Sequence, residues 1–184
     1  MITYDEGRTF GYVAHSLGIG KKDVYRAFGG EILALRLGRI RHHEFISAAA
    51  LRLHTSARRL SRLWAEAYAY SRLDAATATL VLELRKRYTV VAFTNVSRSR
   101  YLSSRRFIRG LFHRTFASCF MHAMKPQRRA YLMVLRAMRA APRDAIFIDD
   151  TEENVIAARR LGMRALRFTS ARALRAKLKS MGVI

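Results

Sequence analysis

Three short stretches of this chain bring together side chains that suit phosphate chemistry. The first is Thr94-Asn95, the second Lys125-Pro126, the third Asp149-Asp150 followed by Thr151-Glu152-Glu153-Asn154. A pair of carboxylates supplies the hard oxygen ligands that Mg2+ prefers. A lysine neutralises phosphoryl oxygens, and a threonine hydroxyl with neighbouring backbone N–H groups donates hydrogen bonds to them. Together they would hold a phosphate beside a divalent cation. Each also has a plainer reading. Asp149-Asp150 would serve as a helix N-cap, Thr94 as an ordinary strand end, and Lys125 as a surface lysine.

These residues need elements that carry them to one place. Tyr88-Thr89-Val90-Val91-Ala92-Phe93 is a short apolar run rich in β-formers and reads as a strand buried on both faces, ending in Thr94-Asn95. Ala145-Ile146-Phe147-Ile148 reads as a second buried strand, ending in Asp149-Asp150. Thr115–Phe120 and Met163–Phe168 are further strand candidates. Helical stretches separate them: one running to about Phe112, then Gln127–Arg139, Glu152–Leu161 and a last one ending near Met181. Strands alternating with helices predict βαβ units and a parallel sheet, and ligands then sit beyond the carboxyl ends of the strands. The chemistry-bearing residues all fall on that edge. Residues 8 to about 87 read as helices instead: about Phe10–Leu17, Lys22–Leu37 with a break at Gly29-Gly30, His42–Leu53, one following the N-cap residues Thr55-Ser56, and Ala75–Arg87.

The order of these segments resembles the haloacid-dehalogenase-like hydrolases. The resemblance rests on Val90–Asn95, Phe112 to Lys125-Pro126, Ala145–Val155 and Ala157–Met163, and spans about residues 75 to 178. It implies an α/β fold, a three-layer Rossmann-like parallel sheet with helices on both faces, plus a small helical cap. It implies domains at 1–73, the cap region, and 74–184, the core. It also implies Mg2+-dependent phosphoester hydrolysis of a phosphorylated small molecule. Thr94 and Asn95 would orient phosphoryl oxygens, Lys125 would bind phosphate and nucleophile, and Asp149 and Asp150 would hold Mg2+.

The sequence also departs from the family pattern. The family's nucleophile ends an N-terminal apolar strand, in a motif like Asp-x-Asp-Gly-Thr/Val. Here Asp5-Glu6-Gly7-Arg8-Thr9 has a single Asp and only four residues before it. Asp5 is the candidate nucleophile. The competing expectation places Met1 just past the motif, in the loop leading to the cap, with the first core strand absent and the chain inactive or nearly so. Near the lysine, relatives often read Lys-Pro-Asp-Pro, whereas this chain reads Lys125-Pro126-Gln127-Arg128.

Charge suggests an alternative. Lys and Arg total 35 against 13 acids, a formal net charge of +22. No acid lies between Glu83 and Asp144, a window holding Arg98, Arg105, Arg106, Arg109, Arg128 and Arg129 among others. Such a field attracts polyanions, so the alternative is a non-catalytic basic module that binds RNA or another polyanion. Compositional drift toward arginine gives the same surface with no partner. Four of the 13 acids nevertheless crowd into 149–153, as a used metal site would require. Cys119 is the one cysteine, which excludes an internal disulfide, and it reads as an ordinary buried thiol. His42, His43 and His122 lack a companion ligand at metal spacing. No signal peptide or membrane-length apolar run is present, so a soluble cytoplasmic protein is expected.

Overall fold

The computed structural model describes residues 6–69 and 73–184. Its first part is helical: α1 (Glu6–Leu17), α2 (Lys21–Gly29), α3 (Ile32–Arg36), α4 (His42–Arg52) and α5 (Ala57–Ala69). The stretch expected as one helix from Lys22 to Leu37 does break at Gly29-Gly30, where α2 ends. Four of these helices each bury an aromatic side chain on their inner face. Phe10 of α1, Phe28 of α2, Phe45 of α4 and Trp64 of α5 are all buried in one cluster. The Trp64 ring lies 4.7 Å from that of Phe28 and 5.4 Å from that of Phe45, centroid to centroid. Aromatic packing of this kind gives the helical cap a core of its own.

The remainder alternates as expected. It runs α6 (Ala75–Arg85), β1 (Val91–Thr94), α7 (Arg98–Ile108), β2 (Arg114–Ala117), α8 (Ser118–Met121), α9 (Arg128–Met138), β3 (Ile146–Asp149), α10 (Glu152–Arg160), β4 (Arg164–Arg167) and α11 (Ala171–Ser180). Polar residues at the helix starts fix several boundaries. Asp74 accepts from Thr77 N–H, Ser97 from Arg100 N–H and Ser170 from Ala173 N–H, satisfying donors that a helix start otherwise leaves orphaned.

β1 pairs with β2 in parallel, and β3 pairs with β4 in parallel. Side chains alternate across the pleat, so each strand feeds two faces. On one face Ile146, Ile148 and Leu166 pack with Leu80 of α6 and Leu174 and Leu178 of α11. On the other, Phe147 and Ala165 pack with Tyr131 of α9 and Val155 and Ala158 of α10. The result is the expected three-layer arrangement, with helices on both faces of parallel strands.

Three features differ from the sequence expectation. The strand expected at Thr115–Phe120 ends at Ala117, and Ser118–Met121 turns helical as α8. β1 begins at Val91 rather than Tyr88, because the preceding residues are held by side chains. Val90 N–H donates to His113 Nδ1 at 3.1 Å, and Tyr88 Oη donates to the Val183 carbonyl at 2.9 Å. β1 is also only half-buried at each of its four residues, not enclosed on both faces. The reason is topological. Among the described residues no ladder joins β1 to β3, and the strands form two pairs rather than one continuous sheet. Yet β1 and β3 lie close, with the Phe93 and Phe147 rings 6.3 Å apart and Tyr131 against both. Their carboxyl ends therefore meet across a gap whose backbone edges lack a ladder partner among the described residues.

Candidate functional site

Lys125 occupies that meeting point. It lies on the loop between α8 and α9, and its side chain is buried. Nζ donates to the Phe93 carbonyl at 2.7 Å and to Asp149 Oδ2 at 2.6 Å. The ammonium thus bridges the two strand pairs, and it sits over the Phe93 ring at 5.0 Å and the Phe147 ring at 5.7 Å. Among the described residues Asp149 is the only carboxylate that contacts it.

Asp149 ends β3 and is buried as well. Its Oδ1 accepts from Thr151 N–H at 3.0 Å and from Asn154 Nδ2 at 2.9 Å. Burial alone would raise its pKa. The Lys125 charge and the hydrogen bonds from Lys125, Asn154 and Thr151 outweigh burial and hold the carboxyl below its ordinary value. Asp149 is therefore ionised at neutral pH. Tyr131, which donates from Oη to the Asn154 carbonyl at 2.8 Å, has its pKa pushed upward by burial and by the Asp149 charge, so it stays a neutral donor. Asp150, by contrast, is exposed. Neither aspartate is the N-cap of α10, a position taken by Thr151, and Glu152 and Glu153 fill the first turn, where negative charge is favourable.

Thr94 closes β1, paired with Ala117, and its hydroxyl makes no hydrogen bond among the described residues. Asn95 is engaged differently. Its Nδ2 donates to the Lys125 carbonyl at 2.8 Å, and its Oδ1 accepts from Lys125 N–H at 2.9 Å. This reciprocal pair fixes the lysine loop against the end of β1. Lys125, Asp149, Thr94 and Asn95 are thus brought together, with Asp150 one residue beyond. Asp5 lies outside the described residues. Among the described residues no group of three or more His, Cys, Asp or Glu is placed to hold a metal.

One contributor was not singled out from the sequence, and another was quoted in its motif without a role. Ser118 is fully buried, and its Oγ accepts from Val96 N–H at 2.9 Å and donates to the Arg36 carbonyl at 2.8 Å. It ties the exit of β1 to α3 of the helical layer, and no local pattern marks it. Asn154 belongs to the motif following Asp149, and its spacing of five residues, across a strand end and a first helical turn, is the signal for its role. His122, read as structural, seats Nδ1 2.8 Å from the Leu37 carbonyl. Cys119 is buried as expected.

Comparison with known proteins decides the family. A haloacid dehalogenase-like hydrolase model matches residues 5–162. The chain belongs to the haloacid dehalogenase-like hydrolase family. Solved structures agree on the fold. A HAD family enzyme from Bacteroides thetaiotaomicron superposes with a TM-score of 0.79 at 20% identity, covering 92% of this chain and 88% of that one. The same enzyme in complex with magnesium and inorganic phosphate gives a TM-score of 0.78 at 20% identity, over 92% and 89% of the two chains. A HAD-like family hydrolase from Porphyromonas gingivalis gives 0.75 at 21% identity, over 90% and 84%. In sequence, flavin mononucleotide hydrolase 1 of Arabidopsis thaliana, a chloroplast protein, is 39% identical over 69 residues. That match spans 38% of this chain and 28% of the relative's length. No helix among the described residues is long and apolar enough to cross a membrane.

Proposed function

We propose that this member of the family binds the phosphoryl group of a small-molecule phosphoester at the Lys125–Asp149 site and hydrolyses it with the help of Mg2+. One observation carries the reading: a buried lysine and a buried ionised aspartate, 2.6 Å apart, stand at the joined carboxyl ends of β1 and β3. Burying such a pair is costly unless the geometry is excellent, and a purely structural tie would serve as well with apolar side chains. Lys125 Nζ supplies a positive charge for a phosphoryl oxygen. The hydroxyl of Thr94, which makes no hydrogen bond among the described residues, donates to a second. Asn95 acts on the loop rather than on the ligand, holding Lys125 in place through its backbone.

The residues present fit a divalent cation in the way Mg2+ is usually held, by one or two carboxylates completed by water and phosphate oxygens. Asp149 has one lone-pair direction left after accepting three hydrogen bonds, and the exposed Asp150 adds a second carboxylate. When bound, the cation would neutralise charge building on the phosphoryl oxygens. Covalent catalysis through a carboxylate would need a further acid beside Lys125, and Asp5 is the candidate in this chain.

Hydrolysis of an aryl phosphate with Mg2+ tests the reading, on the parent chain and on Asp149→Asn and Asp5→Asn. Loss in both variants assigns Asp5 as nucleophile. Loss in Asp149→Asn alone places the attacking group elsewhere. A folded parent chain that neither turns over the ester nor binds inorganic phosphate refutes the proposal.

A further inference from the structure

The Lys125 ammonium rests on an aromatic floor. Nζ lies 5.0 Å from the centre of the Phe93 ring and 5.7 Å from that of Phe147, within the range over which a ring face attracts a cation. Tyr131, on α9, packs edge-to-face with both rings. Its ring centre is 5.4 Å from that of Phe93 at an interplanar angle of 87°, and 5.3 Å from that of Phe147 at 67°. An ammonium has three N–H groups to donate. Here one goes to the Phe93 carbonyl and one to Asp149 Oδ2, and the third has no acceptor among the described residues. The floor therefore holds a charge whose last donor remains available to a ligand.

Tyr131 also reaches the other member of the pair. It is 1% exposed, and its hydroxyl donates to the Asn154 carbonyl at 2.8 Å. The Asn154 side-chain amide in turn donates to Asp149 Oδ1 at 2.9 Å. Asn154 lies in the first turn of α10, so a bond to its carbonyl steadies the backbone from which that amide projects. Packing alone would be served by phenylalanine, which fills nearly the same volume with no buried hydroxyl to satisfy. One side chain thus supports Lys125 through two rings and Asp149 through one amide. Tyr131 hydrogen-bonds to neither charged group itself, so whatever it does for them it does through Phe93, Phe147 and Asn154.

We infer that Tyr131 is a positioning residue for phosphoester hydrolysis, setting Lys125 through the Phe93–Phe147 floor and Asp149 through Asn154. The inference rests on the phosphoester reading of the Lys125–Asp149 site. It makes the seating of α9 against the ends of β1 and β3 part of the geometry on which the reaction depends.

Hydrogen exchange at the Asn154 side-chain amide and the Thr151 backbone amide reads the bonds to Asp149 in the ligand-free protein, because both groups donate to Oδ1. Tyr131→Phe keeps the ring and removes the hydroxyl. It should speed exchange at both amides about tenfold, the scale of one lost hydrogen bond. It should also lower kcat for an aryl phosphate with Mg2+ about tenfold while leaving KM within about twofold, as expected when a group that orients a metal-site carboxylate is lost. Leu135→Val, a buried change one turn further along α9, should lower stability to urea and leave kcat and both amides at parent values. Tyr131→Leu, checked for folding by circular dichroism, also removes the ring and should weaken the binding of inorganic phosphate, which Tyr131→Phe preserves. Unchanged exchange in Tyr131→Phe, or the same acceleration in Leu135→Val, overturns the route through Asn154. Faster exchange with an unchanged kcat overturns the role in hydrolysis. Equal phosphate binding by the leucine and phenylalanine variants overturns the role of the aromatic floor. A folded parent chain that neither turns over the ester nor binds inorganic phosphate overturns the phosphoester reading, and the role in hydrolysis with it, while the exchange data still decide whether Tyr131 orders Asp149.

Discussion

Removing Lys125 should be among the most damaging single changes available to this fold. Lys125 and Asp149 are 8% and 7% exposed, and their charged atoms are 2.6 Å apart. Lys125→Met keeps most of the volume but strands a buried carboxylate and leaves the Phe93 carbonyl without its donor. Breaking a buried pair from one side costs about 3–5 kcal/mol. Asp149 retains hydrogen bonds from Thr151 and Asn154, which places the expectation toward the lower end, about 3 kcal/mol. Asp149→Asn should cost a similar amount, because it leaves the lysine charge uncompensated. The double variant should cost clearly less than the sum, since each side's orphaned group is then gone. Acid should expose the same pair. The folded carboxyl titrates below the unfolded one, so its contribution is complete above the unfolded value of about 4 and is lost as pH falls through the folded value. Lys125→Met removes the leading opponent of burial, so the stability lost to the variant should be largest near neutral pH and should narrow as pH falls through the folded value. Urea unfolding followed by Trp64 fluorescence and by circular dichroism provides the assay. Trp64 reports on the helical layer and dichroism on the whole chain, so coincident transitions are required before a single free energy is quoted. Single variants within 1 kcal/mol of the parent, or strict additivity in the double variant, would refute the argument that this pair is buried and coupled.

Further expectations follow from the contacts that join the helical layer to the core. Gly38 has φ of +68° and an added Cβ there would lie 2.2 Å from the Cys119 carbonyl oxygen; Gly38→Ala should therefore lower stability by more than about 2 kcal/mol, measurable by thermal unfolding. Ser118→Ala leaves the half-buried Val96 N–H without its side-chain acceptor and should cost about 1 kcal/mol, read from the shift in urea midpoint. The exposed arginines, including Arg98, Arg105, Arg106, Arg128 and Arg129, should bind heparin or RNA with an affinity that falls steeply between 50 and 200 mM salt, the range over which several phosphate contacts lose orders of magnitude. Lys125→Met should leave that binding unchanged, because Lys125 is buried, and a dependence on Lys125 would merge the polyanion surface with the phosphate site.

Much of this molecule was legible in local order. Ile146-Phe147-Ile148 alternates across a pleat and ends in acids, and Asn154 follows Asp149 at five residues, the distance from a strand end to the first turn of the next helix. The glycine pair at 29–30 interrupts a helix where residue propensity says it should. Such features are set by periods of two and 3.6 residues and by turn chemistry, which act between near neighbours. The tertiary structure decided everything that depends on distant segments meeting. Lys125 reaches Asp149 across 24 residues of chain, and Asn95 turns its amide to the backbone of Lys125 across 30. Ser118 joins Arg36 across 82. The half-exposure of β1 depends on which strands lie beside it, and the burial of Trp64 on how four helices meet. Burial and hydrogen-bond satisfaction belong to the packed arrangement of whole elements, and no local pattern of residues records them.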